Sequence, residues 1–234
     1  MHKSWYKKWW GILLIIFGTL ILIIAIASGF YIFDIVKKIN SGENISQKIL
    51  LSPSTLEGEG WGEVINGEDN YWIGSAKPKI TIVEFADFSC AYCESAFTTI
   101  REIGLNYKND VKIIFRDYPM QEHSLDLAMA GRCAGEQGLF WLMHDKLFAN
   151  QGIYEKNDLL ILASQIGADV NKFNSCITNK KYLAEIQKDF DDAQEFEITG
   201  TPTWFINGYK IAGDIPYDIF IQIIDELIKN YETN

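Results

Sequence analysis

Residues 79–93 read KITIVEFADFSCAYC. Lys79 to Ala86 is an apolar, β-branched run of strand length, which predicts a buried strand. Ser89 then offers a cap for a following helix. On that helix Cys93, Phe97, Ile100, Gly104 and Tyr107 recur at three- and four-residue spacing and share one face. Asn109-Asp110 closes it, and Val111 to Phe115 (VKIIF) reads as a second strand. Strand, helix and strand in so short a stretch form a βαβ unit, so the sheet is expected to be at least partly parallel.

The chemistry of this stretch lies in Cys90-Ala91-Tyr92-Cys93, between the buried strand and the helix start. A C-x-x-C pair serves either zinc or redox chemistry. Zinc needs four ligands, and the chain has no second C-x-x-C and only His2, His123 and His144. The redox reading has a mechanism. A cysteine at a helix N-terminus meets free N–H groups and the positive end of the dipole, which favour a thiolate. A second cysteine one turn on is placed to resolve a mixed disulfide or to close an intramolecular one. Glu84 interrupts the apolar strand six residues before Cys90. It reads either as a carboxylate at a sheet edge or as a partly buried acid beneath the pair that relays the proton of Cys93.

From His123 to Glu197 the period is helical, with stripes at Leu139, Met143, Leu147 and Phe148, at Leu159, Leu160, Ala163 and Ile166, and at Tyr182, Ile186, Phe190 and Ala193. Gly167 reads as a C-cap. Ile198 to Thr203 (ITGTPT) places a proline directly before a strand, where a turn or a cis peptide is expected. Thr203–Ile206 and Tyr209–Ala212 flank Asn207-Gly208, a hairpin signal. Pro216 can open a last helix carrying Phe220, Ile223, Ile224 and Leu227. His123 and His144 have no catalytic partner in sequence and read as structural, as do Trp141 and Trp204.

Gly11 to Phe33 is 23 residues without a charge. As a helix it would span about 35 Å, against about 30 Å of hydrocarbon. Lys3, Lys7 and Lys8, with Trp5, Tyr6, Trp9 and Trp10, precede it, which favours a cytoplasmic N-terminus of residues 1–10 and an exported body. Ala25-Ile26-Ala27 has the small-x-small form of a cleavage site, but apolar residues run on to Phe33, so an uncleaved anchor at 11–33 is the expectation. Residues 34–60 read as a linker. Residues 1–40 hold five of the 21 basic and one of the 31 acidic residues, leaving 16 and 30 in the body, a net −14. Such a body has no basic footprint for nucleic acid.

An acid six residues before C-x-x-C, a helical insertion, then Gly-Thr-Pro-Thr before an Asn-Gly hairpin and a final helix together resemble the DsbA-like branch of the thioredoxin superfamily. The matching pieces are TIVEFADFSCAYC, VKIIFRDYP, AGRCAGEQGLFWLMHDKLFANQG and TGTPTWFINGYKIAG. The resemblance implies an α/β thioredoxin fold over 61–122 and 198–234 with a helical domain inserted at 123–197; the uncharged run at 11–33 adds one N-terminal transmembrane helix before it. It implies that Cys90 is the nucleophile, that Cys93 is the resolving thiol and that Pro202 is cis and faces them. Thr201 and Pro202, with Tyr92, would receive substrate polypeptide. Strongly oxidising members carry Pro-His between the cysteines; here Ala91-Tyr92 offers one hydroxyl instead of an imidazole. Cys133 and Cys176 lie on separate helices of the insert and read as two buried thiols or as a pair. Export favours pairing, and some relatives carry a disulfide at this place. A bridge closing so long a loop is worth about 4 kcal/mol in the chain-entropy model.

The expected protein is a membrane-anchored, extracytoplasmic thiol:disulfide oxidoreductase acting on cysteine-containing exported proteins. It needs no cofactor beyond the cysteine pair, which a membrane redox partner would recycle. Oxidase is the first direction; reductase or isomerase is the alternative. A non-catalytic chaperone of the same fold and a soft-metal carrier are the readings from other classes, and the intact C-x-x-C argues against the first of these.

Overall fold

The computed structural model describes residues 9–40 and 71–233. The lysines and aromatics of residues 3–8, the linker from residue 41 onward and residues 61–70 of the expected thioredoxin region lie outside them. The chain divides into two compact units, Met1–Ser52 and Pro53–Asn234.

In the first unit, helix α1 (Trp9–Asn40) contains Ile16–Phe33. Among the described residues this is the one window long and apolar enough to cross a membrane, a test that a signal sequence near an N-terminus also passes.

The second unit is built on a five-stranded sheet. Its strands are β1 (Tyr71–Gly74), β2 (Ile80–Ala86), β3 (Val111–Asp117), β4 (Thr203–Ile206) and β5 (Tyr209–Ala212), in the order β1-β3-β2-β4-β5. Strands β2 and β3 are parallel, joined by helix α2 (Ala91–Asn106); every other pairing is antiparallel. Helices α3 (Ser124–Gly135), α4 (Phe140–Ala149), α5 (Lys156–Gln165), α6 (Val170–Thr178) and α7 (Leu183–Glu195) lie between β3 and β4 in sequence, and α8 (Tyr217–Thr233) closes the chain. This is a thioredoxin fold with a helical insertion.

The central strands explain their own composition. Both faces of β2 are covered, so almost every residue is buried and the strand reads as an unbroken apolar run. Ala86 and Phe115 face a core shared with α3, α4, α5 and α6, and Val83, Phe85 and Ile114 face a second core under α7 and β4. Burying one such large side chain contributes about 1.5–3 kcal/mol. Strand β1 was not foreseen in the sequence: four residues at the sheet edge, alternately half-buried and exposed, give too short a period to see. Two glycines make room for it. A Cβ on Gly104 would sit 2.8 Å from the Ile73 side chain, and one on Gly135 would sit 2.2 Å from the Tyr71 ring.

The turns follow local chemistry. Asn207 and Gly208 both take positive φ, 48° and 89°, as the two-residue hairpin requires. Gly167 (φ 82°) ends α5 in a Schellman arrangement: its N–H bonds Ser164 and that of Ala168 bonds Ala163. Helix α2 ends three residues earlier than the Asn109-Asp110 signal suggests, with Tyr107 as its C-cap.

Candidate active site

Strand β2 ends at Ala86, and four residues of loop carry the chain to the start of α2. The N-cap of α2 is Cys90, not Ser89 as the sequence suggested: Cys90 is extended (φ −83°, ψ 122°) and makes no side-chain cap bond. Its carbonyl accepts the first helical bond from the Glu94 N–H (3.0 Å). Ser89 instead sits in a turn organised by Asp87, whose carboxylate accepts from the N–H of Ser89 (2.8 Å) and of Met120 (2.9 Å), while its carbonyl accepts from the Cys90 N–H (3.0 Å). Asp87 was missed in the sequence, although an aspartate in the loop between a strand end and a helix start is a recognisable turn signal.

The Cys90 sulfur is left at the helix N-terminus, where its side chain competes with no cap. Both cysteines are free thiols, Cys90 nearly buried and Cys93 wholly so. The Cys90 thiol is pulled down to about 5. The main cause is the Cys93 thiol donating to it, with help from the Thr201 side chain and from the backbone N–H groups of Cys93 and Tyr92; burial opposes them. In its protonated form Cys90 donates to the Thr201 carbonyl at 3.3 Å. Cys93 is pushed far up, first by burial, then by its bond to Cys90 and by the charge of Glu84.

Glu84 lies in the middle of the sheet, between β3 and β4, in register with Phe115 and Trp204. That corrects the sheet-edge alternative, and its burial is complete rather than partial. Among the described residues neither carboxyl oxygen has a hydrogen-bond partner. Burial pushes its pKa up to about 8, so it holds its proton at neutral pH. Glu84 points to the same sheet face as Ala86, and hence to the core that contains Cys93.

Opposite the cysteines the Thr201–Pro202 peptide is cis and Pro202 is buried. Thr203 ties this turn by donating to the Gly200 carbonyl (2.7 Å), and the Gly213 N–H donates to the Pro202 carbonyl (2.8 Å). Tyr92 is 69% exposed at the rim. The structure thus gathers Cys90, Cys93, Thr201 and Pro202 at one place, with Glu84 beneath and Tyr92 outside.

The other singled-out residues lie apart. Cys133 on α3 and Cys176 on α6 are joined by a disulfide. His123 stacks on Tyr154 (ring centroids 3.9 Å), and His144 is fully buried among Phe88, Phe115 and Phe148, with Nδ1 2.9 Å from Asp145. Trp204 is buried, its Nε1–H donating to the Gly213 carbonyl, while Arg101 lies over the ring of Trp141. Among the described residues no three His, Cys, Asp or Glu side chains are grouped to hold a metal ion.

Residues 66–226 match the family model described as Thioredoxin. Among curated proteins the chain is 35% identical over 149 residues to the Na(+)/H(+) antiporter NhaA 3 of Salinispora tropica, covering 62% of this chain and 22% of that protein. It is 28% identical over 201 residues to the Na(+)/H(+) antiporter NhaA 1 of Mycolicibacterium gilvum, covering 84% and 30%. The matched part is thus less than a third of the length of these relatives. Among solved structures, a thioredoxin-like oxidoreductase from Silicibacter pomeroyi superposes with TM-score 0.65 at 23% identity, covering 71% of this chain and 96% of that one. The thiol-disulfide exchange protein alpha-DsbA2 from Wolbachia pipientis gives 0.66 at 20%, covering 80% and 98%. BdbD from Bacillus subtilis gives 0.63 at 23%, covering 69% and 94%. At these identities the structures speak to the fold.

Proposed function

The chain belongs to the thioredoxin family, and on that premise we propose that it is an extracytoplasmic thiol:disulfide oxidoreductase, held to the membrane by α1, that introduces disulfides into exported proteins. The observation that carries this reading is the asymmetry of the pair: Cys90 drawn down to about 5 at a helix N-terminus, Cys93 buried and pushed up.

In the oxidised enzyme Cys90 and Cys93 share a disulfide. A substrate thiolate attacks the Cys90 sulfur, forming a mixed disulfide and expelling Cys93 as a thiolate. Cys93 is poorly able to remain charged in its apolar setting, and Glu84, protonated at neutral pH, supplies the proton. A second substrate thiolate then attacks the substrate sulfur of the mixed disulfide. The substrate leaves oxidised, Cys90 departs as a thiolate, and the pair has gained two electrons. A low Cys90 pKa stabilises that reduced product and so favours the oxidase direction over reductase or isomerase. A membrane redox partner would take the two electrons back. Thr201, Pro202 and Tyr92 are the surface on which the substrate chain would lie. The Cys133–Cys176 bridge would serve structure alone.

Cys93→Ala tests the central step. Without Cys93 the pair cannot be oxidised, but the Cys90 thiolate can still attack a substrate disulfide, the reverse of the exchange above. No second thiol is left to resolve the product, so mixed disulfides with exported proteins should accumulate in cells. An absence of trapped partners, or faster alkylation of Cys93 than of Cys90 in the wild-type protein at mildly acidic pH, would overturn the mechanism. Fractionation supplies the second test: the mature protein should remain with membranes and keep residues 1–10.

A further inference from the structure

Between α4 and α5 the insert turns back toward the cysteine pair. Asn150 caps α4, its side chain donating to the Lys146 carbonyl at 2.7 Å, and Gly152 takes a φ of +90°, which closes the turn. Between them Gln151 reaches the active-site loop. Its side-chain Nε2 donates to the carbonyl of Phe88 at 3.0 Å and to that of Cys90 at 2.9 Å. A primary amide has two hydrogens, and here both go to two carbonyls of one loop. Tyr154, three residues on, stacks on His123, so the turn is held on its far side as well.

We propose that Gln151 is a positioning residue through which the helical insert sets the geometry of the helix start that bears Cys90. The Cys90 carbonyl already accepts from the Glu94 N–H at 3.0 Å, and Gln151 takes its remaining lone pair. A doubly bonded carbonyl holds the Cys90–Ala91 peptide in one orientation, and with it the N–H groups of Tyr92 and Cys93 that favour the Cys90 thiolate. The bond to Phe88 holds the other side of the loop, opposite the two bonds made by Asp87. The loop is thereby clamped by its own aspartate from the sheet side and by Gln151 from the insert. A thioredoxin fold gains from the insert, at this point, a donor that its own sheet and helices do not provide.

The inference takes Cys90 as the reacting thiol from the exchange reading, but its test needs no substrate. In the full-length reduced protein, the rate of Cys90 alkylation is followed against pH. Gln151→Met keeps the side-chain length and removes both donors. Its alkylation midpoint should move to higher pH, and the rate at mildly acidic pH should fall roughly three- to tenfold, the size expected for losing one or two hydrogen bonds. Gln151→Glu, which cannot donate once ionised, should move the midpoint at least as far, and it serves if the methionine variant folds poorly. Gln137 provides the control. It makes a comparable side-chain bridge within the insert, donating to the Asp169 carbonyl (3.3 Å) and accepting from its N–H (2.8 Å), and touches no part of the cysteine loop. Gln137→Met should lower thermal stability and leave the alkylation midpoint in place. A wild-type midpoint in both Gln151 variants, or an equal displacement in Gln137→Met, overturns the positioning role. Wild-type protein that alkylates as described but exchanges no disulfides would instead remove the oxidoreductase reading and leave Gln151 standing.

Discussion

Glu84 on β2 and Asp117 on β3 are both carboxylates buried on one face of the sheet, and Asp117 pairs with Ala86, two residues from Glu84. Asp117 accepts from Arg132 Nε at 2.6 Å, and Arg132 and Arg116 both reach Asp189, so two guanidinium groups face the acids at this end of the strand. Burial pushes Asp117 up to about 6 while Arg132 pulls against it, so it stays ionised at neutral pH. Glu84 has no such partner among the described residues, rises to about 8 and keeps its proton. A buried acid that is paired serves as a structural strut between β3, α3 and α7. A buried acid left alone is a stored proton, and the protein keeps it next to the thiol that must gain or lose one.

Removing the pairing should have the largest effect. Arg132→Met strands Asp117 in the interior and leaves Asp189 with Arg116 as its guanidinium partner, and urea unfolding at neutral pH should show a loss of about 3–5 kcal/mol. A loss below about 1 kcal/mol would mean that the arginine is not what keeps Asp117 charged.

Glu84 should show the opposite behaviour through pH. Its folded pKa lies above its unfolded value, so between about 4.5 and about 8 the folded state holds a proton that the unfolded state has released. Stability from this group is complete below that window and is lost as pH rises through it, at about 1.4 kcal/mol per pH unit. The oxidised protein isolates the effect, because the disulfide does not titrate. Glu84→Gln should flatten the difference across this window and be the more stable form at its alkaline end. A difference profile without slope would place the carboxyl in a wetter setting.

The same substitution sharpens the functional half of the contrast. Glu84→Gln should slow protonation of departing Cys93 by about a hundredfold while leaving attack at the Cys90 sulfur nearly intact, as stopped-flow measurement of the two phases would show. A drop confined to the attack phase would give the carboxylate another role.

The smallest effect belongs to the rim of the paired cluster. Asp192 bonds Arg116 and Lys188, but it is partly exposed, and these partners hold it below the usual carboxylate range against the pull of burial. Asp192→Asn should cost under about 1 kcal/mol. A cost matching that of Arg132→Met would extend the buried network to the surface.

Much of the cysteine site was legible because its signals are short-range. The run from Lys79 to Ala86, the C-x-x-C before a three- and four-residue apolar stripe, Gly167 and Asn207-Gly208 each act within one turn or one strand, where φ/ψ preference and hydrophobic period decide the outcome. Edge strand β1 was not legible, since four residues packed on one side carry almost no period. The difference between Glu84 and Asp117 was equally hidden. Each is one acid in an apolar strand, and nothing near Asp117 in sequence announces Asp189, 72 residues away.

The sequence by itself determined strands β2 and β3, the hairpin at Asn207-Gly208, that two cysteines meet a helix start, and that a proline precedes β4, because these are properties of neighbouring residues. Tertiary structure alone decided that Glu84 sits in the centre of the sheet without a hydrogen-bond partner among the described residues, that Arg132 reaches Asp117, and that Gln151 bonds Phe88 across 63 residues. Burial and hydrogen bonding depend on which distant groups arrive, and that is settled only when the layers pack.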